Sequence, residues 1–360
     1  MAWVTSAAVL ACQIVAGLCI VTTVLPWTRA RAWWVRAWDF PRQQILVLGL
    51  AAGAGLLLLD APQGAEAVLL LALAAALAWQ VAMILPYTRL WRRQGLPARG
   101  ANGERGVRLV VVNVLQTNRE VDGLGASLAA ADPDLVLALE TDRWWVERLA
   151  ELLPNHDHRV LHPLDNTYGL GLFSRLELVA PEIRFLLKDG IPSVRTGVRL
   201  RSNDEIVLIG VHPEPPSPTE ADSSLPRDAE LVLLGREIAN EARPVIVAGD
   251  LNDVAWSRTS RLFRRLSGLI DPRVGRGFYN SFHAHHPWLR WPLDHVFYNP
   301  EFLLHDQRRL PAFGSDHCPI LIELEYHPRA AAAQPVEQPA REDHQEARAT
   351  VAEAAAMEAS

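Results

Sequence analysis

Three long apolar runs dominate the first part of the chain, at residues 2–25, 45–59 and 67–85. The first and third are uncharged and long enough to cross a bilayer as helices, which takes about 20 apolar residues. A core helix of a soluble protein would carry a polar stripe, and a signal peptide would begin with basic residues and end at a cleavage site. These features are missing from the sequence, so the pattern predicts three transmembrane helices in a membrane anchor at residues 1–88.

The charges between these runs predict the orientation of the anchor. Arginine is concentrated in the loop after the first run and in the segment after the third, whereas the loop after the second run is acidic. The residues concerned are Arg29, Arg31, Arg36, Asp39 and Arg42, then Asp60 and Glu66, and finally Arg89, Arg92, Arg93 and Arg99. Because basic loops stay in the cytoplasm, we expect a multi-pass protein of the cell membrane whose chain after residue 89 is cytoplasmic. The opposite orientation is the alternative.

From residue 107 the pattern changes to short strands that alternate with helices. A basic linker rich in Gly, Pro and Arg, at residues 89–106, precedes this region. Strands are predicted at 108–114, 135–139, 169–174, 195–200, 205–211, 245–248, 293–298 and 320–325, and helices at 121–131, 144–153 and 228–241. The last of these helices is predicted to be amphipathic. Since strands predominate, we expect a pair of sheets covered by helices over residues 107–327. The Ala- and Glu-rich segment 328–360 predicts a flexible tail, disordered or weakly helical.

Charge and cysteine content narrow the class of protein. The formal net charge is −6 for the chain, and counting by segment gives +5 for residues 1–105 and −8 for residues 106–327. A domain that binds duplex nucleic acid tightly usually has a basic footprint, and residues 106–327 have none in aggregate. The three cysteines, Cys12, Cys19 and Cys318, show neither a disulfide framework nor zinc-ligand spacing.

Polar residues lie at or near the ends of several predicted strands. They are Asn113, Glu140, His212, Asp250 with Asn252, Asp294 with His295, and the group Ser315, Asp316 and His317. One polar strand end is ordinary, and the pair after residue 249 taken alone could simply form a turn. Repetition of the pattern, rich in carboxylates and His, predicts one convergent site. Carboxylates and Asn without a Cys pair favour Mg²⁺ or Mn²⁺, and such ions serve phosphoryl transfer. No phosphate-binding GxxxxGK[ST] loop occurs, which disfavours nucleotide-driven chemistry.

These motifs, in this order, resemble those of the endonuclease/exonuclease/phosphatase superfamily. The matching positions are Asn113, Leu139-Glu140, Gly210-Val211-His212, Gly249-Asp250-Leu251-Asn252, Pro292-Leu293-Asp294-His295 and Gly314-Ser315-Asp316-His317. The resemblance covers roughly residues 107–326 and implies a four-layered α/β sandwich of two packed sheets flanked by helices. Membrane helices ahead of such a domain resemble a bacterial branch of the superfamily.

The resemblance also implies roles for individual residues. Glu140 would be the main Mg²⁺ ligand, assisted by Asn113 and Asp316. Asp250 would orient or deprotonate the attacking water, and Asn252 would hold the scissile phosphate. His212 and His317 would flank the phosphate, and Asp294 would hydrogen-bond His317. His295 is interpreted as structural, and no carboxylate partner for His212 can be placed.

The function expected from these patterns is a membrane-anchored, Mg²⁺-dependent phosphoesterase, with Mn²⁺ as a possible substitute. The substrate class stays open between nucleic acid and a lipid or inositol phosphate. A catalytically inactive, membrane-tethered binding module is an alternative of another class. Two loops are predicted to border the site: the Pro-rich segment 213–226 and the segment 279–291. The second contains His283, His285 and His286, whose irregular spacing favours a substrate-facing loop over a metal cluster.

Overall fold

The structure is a computed structural model that describes residues 2–59, 63–100 and 103–358, with side chains described from residue 6 to residue 357 within these ranges. Asp60, one of the acids used to orient the anchor, lies outside the described residues. The N-terminal part contains four helices: α1 (Ala2–Val24), the short α2 (Trp33–Arg36), α3 (Arg42–Leu59) and α4 (Ala65–Ile84).

The helices α1, α3 and α4 form a small bundle with an apolar exterior. Three stretches, Ser6–Thr28, Arg42–Leu59 and Ala65–Tyr87, are long and apolar enough to span a membrane, with mean hydropathies of 2.3, 1.6 and 2.4. Small residues allow close packing inside the bundle, as at Gly55, where an added Cβ would lie 2.6 Å from Cys12 Sγ. The three predicted transmembrane helices are therefore present as candidate membrane spans.

The remainder of the chain begins with a strand and alternates strands with helices. The elements are β1 (Gly106–Asn113), α5 (Asp122–Ala131), β2 (Leu135–Leu139), α6 (Arg143–Leu152), β3 (His158–His162), β4 (Leu170–Ser174), β5 (Leu178–Arg184), β6 (Ser193–Arg199), β7 (Glu205–Val211), α7 (Leu225–Ala239), β8 (Val245–Asp250), α8 (Arg258–Ser267), β9 (Asp294–Tyr298), β10 (Phe302–Arg309), β11 (Ile320–Tyr326) and α9 (Arg341–Glu358). One sheet has the order β10-β11-β1-β2-β4-β3, and the other has the order β5-β6-β7-β8-β9. Within them, only the pairs β1/β2 and β7/β8 are parallel among the described strands.

The two sheets pack face to face, and helices cover their outer faces. Alternate residues of β1 show this division, because Leu109 and Val111 point into the core between the sheets. Val110 and Val112 point outward, against the layer of α5 and α6. On the other sheet, Val207 and its outward-facing neighbours pack against α7 and α8. The period-2 alternation of strand side chains thus produces four layers, and the predicted α/β sandwich is confirmed.

Two elements near the second sheet differ from the sequence-based expectation. The helix α7 is not amphipathic in its environment, because both of its faces are largely buried. One face packs on the sheet, and the other packs on α8 and α9. Residues 341–358, expected to belong to a disordered or weakly helical tail, form the packed helix α9. Ion pairs hold it to α8, from Arg258 to Glu346 and from Arg265 to Asp343, an arrangement that low local hydrophobicity could not reveal.

The sandwich rests on one end of the helical bundle. Trp256 Nε1 donates to the backbone carbonyl of Asp39 at 2.7 Å, and the Tyr87 hydroxyl donates to that of Ala255 at 2.7 Å. The backbone N–H of Trp33 also donates to Asp222 at 2.9 Å. The loop after α1, the start of α3 and the end of α4 therefore lie on the same side of the bundle as the sandwich.

Candidate active site

The predicted site residues meet at one edge of the sandwich because of strand direction. Asn113 ends β1 and Asp250 ends β8, while Glu140 and His212 directly follow β2 and β7. These four strands form the two parallel pairs, so their carboxyl ends point the same way. The strands β9 and β11 run antiparallel to their neighbours, and their amino ends reach the same edge. Asp294 consequently lies opposite Asp250 in the strand register.

The backbone is sharply turned where the strands deliver these side chains. Glu140 and Asn252 have positive φ angles of 59° and 50°, which non-glycine residues seldom adopt. Gly249 has a φ of 150°, and a Cβ at this position would lie 1.9 Å from the carbonyl oxygen of Val211. Only glycine fits between the ends of β7 and β8 at this point, and strained backbone of this kind is concentrated at functional sites.

A hydrogen-bonded group joins the ends of β1, β2 and β8. Asn113 Nδ2 donates to Glu140 Oε1 at 2.7 Å and to Asp250 Oδ2 at 3.2 Å. Burial raises the pKa of Glu140, although His212 and the Asn113 amide oppose this effect. Across the same cavity, the buried Oδ1 of Asp316 accepts no hydrogen bond from any described residue.

The side chains of Asn113, Glu140 and Asp316 suit a hard divalent cation. A buried carboxylate oxygen that lacks a donor is costly, and a cation beside Glu140 and Asp316 would remove that cost at Asp316 Oδ1. A second combination, Asp250, Asp294 and His317, also brings possible ligand atoms within 4.8 Å of one another. In that combination His317 Nδ1 already contacts Asp294 Oδ2 at 2.7 Å. A protonated imidazole in such an ion pair is a poor metal ligand, so the position beside Glu140 and Asp316 fits better.

His317 lies between two buried carboxylates. Its Nδ1 contacts Asp294 as described, and its Nε2 lies 3.5 Å from Asp250 Oδ2. Burial disfavours the charged imidazolium, but Asp294 and Asp250 outweigh it and raise the pKa of His317 to about 10. Burial works to raise the pKa of Asp250, whereas His317 and His212 hold it below its usual range. The site thus holds a positive imidazolium beside an ionised Asp250.

The carboxylate that the sequence could not assign to His212 is Asp250 itself. His212 Nε2 lies 3.8 Å from Asp250 Oδ2, so both histidines face the same oxygen. The His212 Nδ1 is buried and has no partner among the described residues. A tyrosine that sequence reasoning missed, Tyr168, lies with its ring 5.7 Å from that of His212 and donates its hydroxyl to Glu220 Oε2 at 2.9 Å. It precedes a strand without any motif that would mark it.

Asn252 and His295 are positioned by neighbouring polar groups. The Asn252 backbone N–H donates to Asp250 Oδ1 at 2.9 Å, and its side-chain Nδ2 donates to the Pro213 carbonyl at 2.9 Å. His295 lies away from the cavity, with Nδ1 2.6 Å from Arg273 Nη2 and Nε2 2.8 Å from the Asp253 carbonyl. Burial, together with the Arg273 charge, lowers the pKa of His295 to about 3. Its environment is that of a neutral residue that supports the structure.

These residues open into a cavity of about 330 Å³. Its polar lining includes Glu140, His212, Asp250, Asn252, Asp316 and His317, and its apolar lining includes Phe40, Phe282 and Leu293. The two loops expected to border the site contribute Pro215 and Pro216, and Phe282, respectively. The Phe282 ring lies 4.9 Å from that of His317. The three histidines of the 279–291 loop are not among the lining residues. Phe40 comes from the segment between α2 and α3, and no sequence signal connects it with this site.

Two mixed sheets flanked by helices, with carboxylates, amides and histidines at one edge, define a hydrolase of the phosphoester-cleaving α/β sandwich class. The model of the endonuclease/exonuclease/phosphatase family matches residues 110–317. The chain belongs to this family, as the motifs predicted.

Comparison with solved structures agrees with the fold. An endonuclease/exonuclease/phosphatase from Beutenbergia cavernae DSM 12333 is 18% identical, with a TM-score of 0.51 over 62% of this chain and 72% of that one. The human Nocturnin catalytic domain with bound sulfate anion is 15% identical, with a TM-score of 0.51 over 63% of this chain and 96% of that one. A family protein from Bacteroides thetaiotaomicron is 16% identical, with a TM-score of 0.50 over 61% and 95%. No curated protein matches the sequence.

Proposed function

We propose that this protein is a membrane-anchored, divalent-metal-dependent phosphoesterase that cleaves phosphodiester or phosphomonoester bonds by in-line attack of water. The observation that supports this most is the shared oxygen of Asp250, which faces both His317 and His212 beside the Asn113–Glu140 pair. Activation of water requires an ionised acceptor such as Asp250. Stabilisation of the phosphate requires a protonated donor such as His317 in the same cavity.

Asp250 is the residue that accepts a hydrogen bond from the attacking water. Its Oδ1 is held by the Asn252 N–H, which fixes the carboxylate plane, while Oδ2 is directed toward the cavity and the two histidines. His317, kept protonated by Asp294, donates from Nε2 to a phosphate oxygen as negative charge develops. His212 flanks the same phosphate, and the Asn252 amide lines the cavity within reach of it.

Glu140, with Asn113 and Asp316, would hold the cation, for which Mg²⁺ is the first choice and Mn²⁺ the second. Oxygen ligands without sulfur favour these ions. The cation, when bound, neutralises charge on the phosphate and the leaving oxygen. The raised pKa of Glu140 supports this assignment, because a buried carboxylate without a cation is disfavoured in its charged form.

The surroundings of the cavity favour a small or membrane-borne substrate over long duplex DNA. Phe40 brings the cavity wall to within two residues of α3, a candidate membrane span. In the 279–291 loop, Trp288 is 88% exposed and Leu289 is 51% exposed, and the Trp288 carbonyl accepts from the Gln44 side chain of α3. Exposed apolar residues beside a membrane helix suit contact with lipid. The net charge of residues 106–327 also disfavours polyanion binding.

The arginine pattern supports a cytoplasmic sandwich domain in the cell membrane. Nucleic acid remains the alternative substrate, and an inactive binding module the alternative function. The test uses the full-length protein in detergent or nanodiscs, assayed with Mg²⁺ against phospholipids, inositol phosphates, RNA and plasmid DNA. The matched control is Asp250→Asn prepared in the same way.

We expect metal-dependent hydrolysis of a lipid or inositol phosphate, giving an alcohol and either inorganic phosphate from a monoester or a phosphomonoester from a diester, with little activity in EDTA or in the Asp250→Asn protein. Faster cleavage of plasmid DNA at physiological salt would reverse the substrate ranking. Binding of any of these ligands without turnover would favour the binding module.

A further inference from the structure

A second polar cavity, of about 430 Å³, lies where α1 and α4 reach the sandwich. It is far richer in positive charge than the active site, and we call it the basic cavity. Its arginines are Arg29, Arg36, Arg42, Arg258 and Arg261, and its single acid is Asp39. Two tryptophans, Trp27 and Trp79, complete the polar and aromatic lining. Neither the family's motifs nor the proposed reaction uses any of these residues.

Several donors in the basic cavity lack acceptors within the described part of the chain. The Nε atoms of Arg36 and Arg42 and the Nε1 of Trp79 are buried without a hydrogen-bond partner. Arg36 and Arg42 are only 8% and 4% exposed, so bulk solvent does not readily satisfy them. Buried donors of this kind are rare in folded proteins, and these three belong to residues that line the basic cavity.

The charge balance of the basic cavity favours an anionic ligand over a neutral or cationic one. Asp39 is already engaged with Arg42 and Arg36, and Arg258 is paired with Glu346. Arg29 and Arg261 have no ion-pair partner among the residues that the structure describes. Burial lowers the pKa of Arg261, and the nearby positive charges of Arg265 and Arg42 add to that effect. A bound anion would relieve this repulsion.

The position of the basic cavity at the end of a candidate membrane span favours a lipid anion over a soluble one. Trp27 belongs to the last turn of the first candidate span, and its ring meets that of Trp79 edge-on at 5.0 Å. Tryptophan is favoured at the membrane–water interface. On the same helix, Leu18 and Val21 are 58% and 59% exposed, which leaves apolar surface for an acyl chain beside the cavity. A soluble phosphate would use the arginines but not this apolar surface.

We infer that the basic cavity binds the headgroup phosphate of an anionic phospholipid. Arg29 and Arg261 supply unpaired positive charge to its oxygens, and Arg36 and Arg42 add to the positive potential of the cavity. The excess of arginine disfavours a choline or ethanolamine headgroup, whose ammonium would be repelled. The inference rests on the bilayer placement of the helices, which is part of the proposed function, but not on the hydrolytic reaction.

The basic cavity is also linked structurally to the active site. The Asp39 carbonyl accepts from Trp256 Nε1, and the next residue, Phe40, lines the active-site cavity. A lipid bound in the basic cavity would therefore hold the segment that contributes Phe40 to the active-site lining. This placement makes the bound lipid a structural part of the junction between bundle and sandwich.

The experiment measures phosphatidylglycerol retained by the full-length protein, using native mass spectrometry after purification in mild detergent. The variants are Arg29→Gln and Arg261→Gln, and the matched control is Arg89→Gln. Arg89 is exposed, follows the third span directly and lies outside the basic cavity, so its change removes the same charge at a similar level. Arg29 is exposed as well, so its replacement should leave folding intact even if that of Arg261 does not.

We expect each cavity variant to weaken phosphatidylglycerol retention roughly tenfold, as loss of one charge-assisted hydrogen bond would, while Arg89→Gln and Asp250→Asn retain it. Phosphatidylcholine should be retained weakly by all of them. Equal retention in Arg29→Gln and Arg89→Gln would overturn the inference. Displacement of the lipid by inorganic phosphate at similar concentration would assign the cavity to a soluble anion instead. Loss of hydrolysis in Asp250→Asn with lipid retained would separate this site from the proposed function.

Discussion

Replacement of Asp250 by asparagine tests the proposed mechanism most directly, because four groups contact or face this carboxylate, His212 among them. Its Oδ2 accepts from Asn113 Nδ2 at 3.2 Å and lies 3.5 Å from His317 Nε2, while Oδ1 accepts from the Asn252 N–H at 2.9 Å. The amide has one oxygen and one NH₂ group where the carboxylate has two oxygens. It cannot satisfy both the Asn113 and Asn252 donors, and it does not supply the charge that activates water.

The expected magnitudes follow from these contacts. Loss of the general base lowers kcat by about 10² to 10⁴. Leaving one buried donor without an acceptor lowers the free energy of unfolding by about 1 to 3 kcal/mol. The protein should therefore remain folded and bind substrate while turnover nearly stops.

The assay is steady-state hydrolysis of the best substrate over a range of Mg²⁺ concentrations, with a thermal melt of each protein. Glu140→Gln is the comparison variant, because it removes a proposed metal ligand instead of the proposed base. Excess Mg²⁺ should restore part of the Glu140→Gln rate and none of the Asp250→Asn rate. A kcat of Asp250→Asn within a few-fold of the unaltered protein would refute the assignment, as would full activity of the unaltered protein in EDTA.

Three further predictions follow from other parts of the chain. Glu230 on α7 is buried, and this burial, together with the nearby charge of Glu214, raises its pKa to about 8. Between the ordinary pKa of a glutamate and pH 8, the folded state therefore keeps a proton that the unfolded state has released. The free energy of unfolding consequently falls as the pH rises toward 8. Glu230→Gln should accordingly raise the free energy of unfolding by a few kcal/mol above pH 8 and change it little at pH 4, whereas the exposed Glu147→Gln should show neither effect in urea titrations. Removal of residues 341–360 should lower the melting temperature by several degrees, because α9 covers α7 and pairs with Arg258 and Arg265; an unchanged melt would mean that α9 contributes nothing to stability. A reporter that is active only after export, fused behind the C-terminus, should give no signal in cells, and strong activity would reverse the predicted orientation.

The sequence alone predicted the candidate spans, many of the strands and the family to which the chain belongs. Apolar runs without charge predicted the three candidate spans to within a few residues, since length and hydropathy are local properties. The strands at 135–139 and 205–211 were predicted with their observed bounds, because β-branched apolar runs between polar breaks have few alternatives. The family motifs identified the chain's family by order and spacing.

Helices and strands that are stabilised mainly by packing against other elements of the chain were harder to predict from the sequence. The edge strands β3 and β5 are exposed along much of their length and lack a continuous apolar run. The helix α8 contains four arginines in ten residues, and it is held by packing on α7 and by pairing with α9. Neither α8 nor α9 is apolar enough to be predicted without those contacts.

Only the tertiary structure decided how the site is assembled. Asp250 and Asp294 are 44 residues apart in the numbering, yet antiparallel pairing of β8 and β9 places them opposite one another. Packing between distant segments also brings His212 and His317 to one oxygen of Asp250. It places Phe40, from the segment between α2 and α3, in the lining of the same cavity. Residue types and their order along the chain indicate which reaction the site could carry out. The distances between its side chains are set by the packing of sheets and helices, which joins residues far apart in the sequence.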